Sequence, residues 1–317
     1  PTNGWLKAGN KSIVQIRNED LRLGPVAIQF KLEDMHGAEK EIWAYMKIKK
    51  ETFDISAGWA NDPIRGKPGF LNEYFMKTLQ SLYINTAHYN GQPGYTDDPR
   101  QFAKYPLKYF GHLLPWDAYD KDSLLPRIHG IETLGEPQYG GGTPVDPQKV
   151  CMELLAFAPS RIPSTLTHSE ERIWRFYAGL SDYPHFDAYR VTAPSADKWE
   201  NYDRWEGQKI GWGAPLETIG TMTRSLKSLN RPLPIAYWSQ GPHEGWEVYD
   251  GRERTSPTPS ELRMQAYHAL STGITSLYWF NLSYASLIKY PDLLEPMQRI
   301  GREIRLLDSF YIQGTQW

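Results

Sequence analysis

The residues best placed for chemistry lie in the stretch 127–137, which reads Arg-Ile-His-Gly-Ile-Glu-Thr-Leu-Gly-Glu-Pro. Ile128 and Ile131 stand among small and polar residues, as on a short strand, and the stretch ends in Gly135, Glu136 and Pro137. A carboxylate at the C-terminal end of a buried strand points into the mouth of the sheet, where a (β/α)8 barrel carries out its chemistry. The glycines at 140–142 leave the adjoining loop without bulk. The sequence therefore predicts that Glu136 is a catalytic acid/base.

Two further glutamates compete with Glu136 for this role. Glu132 lies four residues before Glu136 on the same predicted strand. Because side chains alternate along a strand, both glutamates should face the same way, and either could be structural or the true catalyst. Glu170 opens a predicted helix, where the helix dipole alone favours a carboxylate. An acid that works near neutral pH needs a raised pKa, which burial or a neighbouring carboxylate would supply.

The ends of the other predicted strands carry carboxylates, amides and aromatic rings. Glycoside hydrolysis requires such a set, because one carboxyl group acts as an acid, a second acts as nucleophile or base, and flat rings hold the sugar. The 12 Trp and 20 Tyr in the chain agree with a sugar cleft. The sequence thus predicts a carbohydrate substrate, with the following binding residues beside Glu136: Trp59, Asn61, His88, Tyr89, Trp116, Glu132, Gln138, His168, Glu170, Tyr189, Trp238, Gln240, His243, Trp279 and Asn281.

Alternating strand and helix patterns predict a (β/α)8 (TIM) barrel with parallel strands over residues 51–317. The eight predicted strands are 53–58, 83–88, 109–114, the stretch that ends at Glu136, 164–168, 186–191, 234–238 and 275–281. Helices are predicted at 69–82, 147–157, 170–180, 216–229, 259–270 and 293–307. Residues 1–50 form a separate β-rich segment, in which 26–32 and 42–48 alternate around a turn and suit a hairpin of a small β-sandwich.

Composition excludes some classes of protein. The formal net charge is −2 and no Lys/Arg cluster stands out, so a nucleic-acid partner is not expected. No run approaches the ~18 apolar residues that a membrane span needs. The single cysteine, Cys151, permits no intrachain disulfide bond. The chain begins at Pro1 without an apolar leader, so we expect a processed piece of a secreted or periplasmic protein that has further domains. No cofactor or metal is expected.

Three features resemble clan A glycoside hydrolases, which are retaining (β/α)8 enzymes. Gly135-Glu136-Pro137 is similar to the Asn-Glu-Pro of that clan, Trp279 resembles the Trp platform under the reacting sugar, and residues 260–274 resemble the passage before the eighth strand. The resemblance implies an acid/base at Glu136 and a nucleophile after strand seven, for which Glu244 is the candidate.

Two positions depart from the clan pattern. Gly135 replaces the Asn that would contact the sugar 2-hydroxyl, and Gln240 lies near the expected nucleophile. Tyr189 resembles the Tyr that orients the nucleophile. If Gln240 occupies the nucleophile position, Glu244 is only a loop residue, and the enzyme is inverting or inactive. Retaining enzymes hold their carboxyl groups about 5–5.5 Å apart, and inverting enzymes about 6.5–9.5 Å apart.

Two other functions remain open on the sequence. A metal-dependent hydrolase could use His88, His129, His168 and Asp187 as zinc ligands, although no His-x-His or His-x-x-x-His pair anchors two of them on one element. A carbohydrate-binding barrel that has lost catalysis would account for Gln240 and Gly135.

Overall fold

The computed structural model divides the chain into two compact units, Pro1–Lys50 and Glu51–Trp317. Within them it describes residues 24–48, 52–58, 73–88, 103–112, 125–132, 135–137, 145–169, 174–192, 202–203, 209–210, 215–229, 234–243 and 252–313. In these ranges, no helix combines the length and the apolar character that a membrane crossing requires.

The first unit contains the predicted hairpin. Strands β1 (Gly24–Glu33) and β2 (Glu39–Ile48) pair antiparallel, with Phe30 opposite Ile42. The Asp34 carboxylate closes the turn by accepting hydrogen bonds from the backbone N–H groups of His36 (2.8 Å) and Ala38 (2.9 Å). The hairpin prediction is confirmed.

The second unit is a closed barrel of eight parallel strands. Each strand is short, and helices separate the strands along the chain, as expected for a (β/α)8 barrel. The fold prediction is confirmed. In chain order the barrel strands are β3 (Asp54–Ala57), β4 (Thr86–His88), β5 (Lys108–His112), β6 (Ile128–Glu132), β7 (Ser164–His168), β8 (Tyr183–Asp187), β11 (Ala236–Gln240) and β12 (Ser276–Phe280). The two-residue strands β9 (Tyr202–Asp203) and β10 (Lys209–Ile210) pair with each other between β8 and β11.

Some of the helices begin at a residue whose side chain satisfies one of their first N–H groups. Asp146 accepts a hydrogen bond from the backbone of Gln148, and Thr258 forms a reciprocal capping box with Glu261. The helices of the second unit are Glu73–Ser81, Pro147–Leu155, Trp174–Tyr177, Thr218–Leu229, Pro259–Ser271, Tyr284–Lys289, Leu294–Leu306 and Asp308–Gln313, with a 3-10 turn at Pro291–Leu293.

The barrel strands send alternate side chains into two different cores. On β12, Leu277 and Trp279 join the large core between the strands and the helices. Tyr278 and Phe280 join a smaller cluster in which residues of β5, β8, β11 and β12 meet, as is possible only inside the barrel. The direction of each strand residue therefore decides whether it can reach the barrel mouth.

Strand six is the main departure from the predicted boundaries. The sequence pattern predicts residues 186–191, whereas the structure has β8 at Tyr183–Asp187. Pro184 lies within this strand, paired with Leu166, although proline is uncommon in central strands. The shift makes Asp187 the last residue of its strand. The predicted helix 170–180 ends earlier, at Tyr177, and its described part is Trp174–Tyr177.

Candidate active site

Glu132 is the last residue of β6 and is buried inside the carboxyl end of the barrel. Thr167 donates a hydrogen bond to its Oε1 atom (3.2 Å), and the Nε2 atom of His88 lies 3.8 Å from its Oε2 atom. Burial, with a smaller contribution from the charge of Glu136, raises the pKa of Glu132 to about 7, against the lowering effect of Thr167. Glu132 can therefore hold or release a proton near neutral pH.

A β-bulge turns Glu132 inward. Tyr109 pairs with Ile128 and Phe110 pairs with Gly130, so β6 has one extra residue at this point. Because of it, His129 and Glu132 both face the interior although they are three positions apart. Gly130 suits the bulge, since an added Cβ would lie 3.1 Å from the Phe110 ring and 3.1 Å from the Pro163 carbonyl oxygen.

Glu136 follows β6 at the barrel mouth. Its backbone has φ of 53°, in the left-handed region that non-glycine residues rarely adopt, and such conformations cluster at functional sites. The residue is half-buried, between exposed Gly135 and buried Pro137. Its charge helps to raise the pKa of Asp187, which ends β8. Glu136 is thus partly open to solvent and lies within electrostatic range of a second carboxyl group.

Asp187 is the buried member of this carboxyl pair. It ends β8, in register with Trp238, and is only 5% exposed. Burial first, and then the charge of Glu136 and the hydrogen bond to it, hold the pKa of Asp187 well above its ordinary value, while Arg190 acts in the opposite direction. From the sequence, Asp187 is a candidate only as a zinc ligand. Had strand six been placed three residues earlier, the rule that strand ends carry function would have selected it.

Aromatic rings lie beside the carboxyl pair. Burial first, and then the charges of Asp187 and Glu136, raise the pKa of Tyr189 well above its ordinary value. The Tyr189 ring packs on Phe280 (centroids 5.3 Å apart), and His243 stacks on Phe280 (5.5 Å, 18° between planes). Burial lowers the pKa of His243 to about 4, so its ring is neutral at pH 7.

Trp279 does not face the site, and its prediction as a sugar platform is wrong. The residue is fully buried in the core between strands and helices, because its position on β12 points outward. The inward neighbour, Phe280, is the ring that meets Tyr189 and His243. Asn281 comes next and is half-buried, with a buried Oδ1 atom that has no partner among the described residues.

His168 also faces outward, contrary to its predicted role. It ends β7, where Thr165 and Thr167 point inward, and its ring contacts Trp174 in the outer core (5.9 Å). Burial lowers its pKa to about 3. In the structure the His168 ring therefore packs on the helix side of β7.

The side chain of Gln240 forms its hydrogen bonds with other residues of the protein. Its Oε1 atom accepts hydrogen bonds from the backbone N–H (3.2 Å) and hydroxyl (3.3 Å) of Thr192, and its Nε2 atom donates to the Thr255 carbonyl (2.9 Å). The side chain is fully buried. Gln240 therefore joins the segments that follow two neighbouring strands, and its predicted contact with sugar is not supported.

His88 and Trp238 are two further rings inside the barrel. Both are buried, and their ring centroids are 4.4 Å apart. His88 also stacks on Phe110 (4.0 Å, 13°) and approaches Glu132. His88 therefore packs inside the barrel beside Glu132, and Trp238 lies on the strand next to Asp187.

The four residues considered as zinc ligands do not converge. His129 bonds Asp54 near the opposite end of the barrel (2.5 Å), and His168 faces the helices. Within the described ranges no group of three or more His, Cys, Asp or Glu residues could hold a metal ion. The remaining predicted site residues fall outside those ranges: Trp59, Asn61, Tyr89, Trp116, Gln138, Glu170 and Glu244.

Comparison with known proteins relates the chain to solved glycoside hydrolase structures. A β-galactosidase from the psychrophilic Marinomonas ef1 matches with a TM-score of 0.55 and 7% identity, covering 80% of this chain and 60% of that one. A β-galactosidase from the Antarctic haloarchaeon Halorubrum lacusprofundi matches with a TM-score of 0.52 and 9% identity, covering 78% and 58%. A β-D-glucuronidase from Dictyoglomus thermophilum has a TM-score of 0.48 and 12% identity.

At these identities the likeness shows a shared fold. The match to the glucuronidase covers 83% of this chain, but this chain spans only 52% of the glucuronidase chain. No protein-family model matches the chain, and no curated protein matches it. The fold is thus one on which glycoside hydrolases are built, and the chemistry must be argued from the site.

Proposed function

We propose that this protein is a glycoside hydrolase that cleaves a poly- or oligosaccharide with carboxyl groups at the carboxyl end of its barrel. One observation carries the proposal: Glu136 is half-buried at the barrel mouth, and its charge helps to raise the pKa values of the buried Asp187 and Glu132. A pair of carboxyl groups in which one member is open to solvent suits proton transfer to a glycosidic oxygen. The likeness to the two β-galactosidase barrels supports the same class of reaction.

In the proposed mechanism, Glu136 gives a proton to the leaving-group oxygen as the glycosidic bond breaks. Glu244, which follows β11, is the proposed nucleophile of a retaining reaction. Water then attacks the glycosyl-enzyme bond and returns a proton to Glu136. Tyr189 and Phe280 offer aromatic surface for the sugar ring beside the acid. A secreted or periplasmic location stays a prediction, which fractionation of the source cells would test.

The test is hydrolysis of a broad panel of poly- and oligosaccharides by the wild type and by Glu136→Gln. Removing a general acid should lower kcat/KM by about 10²–10⁴-fold. Substrates whose leaving group is already acidic need less protonation, so they should lose less activity. Glu253→Gln, at an exposed residue, is the matched control and should retain full activity.

The outcomes separate three functions. Turnover that is unchanged in Glu136→Gln would refute the role of Glu136 and direct attention to Glu132 and Glu244. Tight binding of one glycan without turnover would favour a carbohydrate-binding barrel. Turnover that a chelator abolishes would favour the metal-dependent alternative.

A further inference from the structure

Asp187 has no role in the mechanism above, although it lies on the inner face of the barrel at its carboxyl end. Side chains alternate along β8, and the rings of Tyr183 and His185 both meet Phe110 inside the barrel (centroids 6.4 and 5.5 Å apart). Asp187 comes two residues after His185 and is the last residue of the strand. Its side chain therefore faces the interior at the end where (β/α)8 barrels bind their substrates.

One oxygen atom of this carboxyl group is buried without a hydrogen-bond partner. Asp187 is only 5% exposed, and its Oδ1 atom has no partner among the residues that the structure describes. Buried polar atoms are normally paired, because an unpaired one loses its bonds to water and gains none in return. The nearby Arg190 guanidinium is used elsewhere, since it donates to Thr218 and contacts Met222. The Oδ1 atom is therefore available to a polar group of a ligand.

Two further buried polar atoms are unpaired on the strands beside β8. Trp238 is in register with Asp187 on β11, and its Nε1 atom has no partner in the described part of the chain. Asn281 directly follows β12, and its Oδ1 atom is also unpaired there. Strands β8, β11 and β12 are neighbours in the barrel. Three adjacent strands thus each bring an unpaired buried polar atom towards the same end.

Aromatic surface lies beside these atoms. Phe280 is half-buried, and its ring contacts those of Trp238 (centroids 6.0 Å apart), Tyr189 (5.3 Å) and His243 (5.5 Å). An aromatic ring next to a few unpaired polar atoms suits a sugar, which has an apolar C–H face and hydroxyl groups around it. A hydroxyl group both donates and accepts, so it pairs with Asp187 whether or not that carboxyl group carries a proton.

We propose that Asp187 is a substrate-binding residue whose Oδ1 atom forms a hydrogen bond with one hydroxyl group of the sugar that packs on Phe280. This inference rests on the function proposed above and adds a residue that determines which hydroxyl group the sugar must carry. A site that pairs a buried polar atom with a substrate hydroxyl rejects the analogue that lacks this hydroxyl, because the protein atom is then left unpaired.

The test is a double-mutant cycle between Asp187 and the hydroxyl groups of the sugar. The methyl β-D-glycosides of glucose, galactose, mannose and xylose are titrated calorimetrically into Glu136→Gln, in which turnover does not disturb binding. The monodeoxy forms of the tightest ligand follow. One deoxy form should bind about 10–100-fold more weakly than its parent, and adding Asp187→Ala should abolish this difference. Equal losses for that deoxy form with and without Asp187→Ala, or binding of none of the four glycosides, would overturn the proposal.

Asp54→Asn, added to Glu136→Gln, is the matched control. Asp54 is also a buried aspartate inside the barrel, but it begins β3 at the opposite end and bonds His129 and Tyr183. Its replacement should lower stability and leave the pattern of deoxy losses unchanged. A purely structural role of Asp187 would instead make both aspartate variants weaken every deoxy form and its parent by the same factor.

A second measurement does not depend on how the Asp187 variant folds. A crystal structure of Glu136→Gln with the tightest methyl glycoside should place one hydroxyl oxygen about 2.5–3.0 Å from the Asp187 Oδ1 atom. A bound sugar with no hydroxyl group in hydrogen-bond reach of Asp187 would refute the assignment. Coupling of Asp187 to one hydroxyl group, without hydrolysis of any glycan by the wild type, would refute only the proposed hydrolase function.

Discussion

Replacing Glu132 by Gln should make the stability of the protein less dependent on pH. Burial raises the pKa of Glu132 from 4.5, its ordinary value, to about 7. Between these values the folded protein holds a proton at Glu132 that the unfolded chain has released. Stability therefore falls as the pH rises through this window, and the loss is complete above pH 7.

The size of the effect follows from the two pKa values. At about 1.4 kcal/mol for each pH unit between them, ionisation of Glu132 costs the folded state about 3 kcal/mol. The residue is 7% exposed, so solvent screens little of this cost. Gln keeps the shape and can accept the same hydrogen bond from Thr167. The variant should match the wild type near pH 4.5 and exceed its free energy of unfolding by about 3 kcal/mol at pH 8.

Urea unfolding, followed by tryptophan fluorescence from pH 4.5 to 8.5, measures this difference. Asp187 also favours its neutral form in the folded state, but it is present in both proteins and largely cancels in the comparison. Glu253→Gln, at the exposed residue, should follow the wild type at every pH. A difference between Glu132→Gln and the wild type that is the same at pH 5 and pH 8 would refute the raised pKa.

Three further predictions test which side chains pack and which face the site. Trp279→Ala should lower the free energy of unfolding by about 3–5 kcal/mol, because Trp279 is fully buried. Phe280→Ala should instead raise KM for a glycan about 2–10-fold, because it removes a ring on which the sugar stacks. Gln240→Ala should cost about 1–3 kcal/mol in urea unfolding, because it leaves its hydrogen-bond partners unsatisfied. Gly130→Ala should destabilise by about 1–3 kcal/mol, since the new Cβ crowds Phe110.

Each of these predictions can fail clearly. If the Trp279 variant were stable and bound glycan weakly, the outward direction of that side chain would be wrong. A Gln240 variant with normal stability and weakened binding would restore its predicted role at the sugar. Gly130→Ala with unchanged stability would show that the bulge accommodates a side chain.

The sequence predicted which residues end the strands better than it predicted which way they point. His168 and Trp279 were selected correctly as residues at or near strand ends, but both face the helices. Direction depends on where a strand starts and on bulges, and a shift of one residue reverses every side chain. Asp187 was missed as a site residue because strand six was predicted at 186–191, whereas it runs from Tyr183 to Asp187.

The sequence by itself determined the alternation of strands and helices, the N-terminal hairpin and the location of Glu136 after the fourth barrel strand. These features follow from local patterns of apolar residues, caps and turns, which neighbouring residues largely decide. Only the tertiary structure brought Glu136 within electrostatic range of Asp187, 51 positions later, and buried Glu132. Closure of the barrel decides these contacts, because it brings together the ends of strands that are distant in the chain, and burial there gives their carboxyl groups raised pKa values.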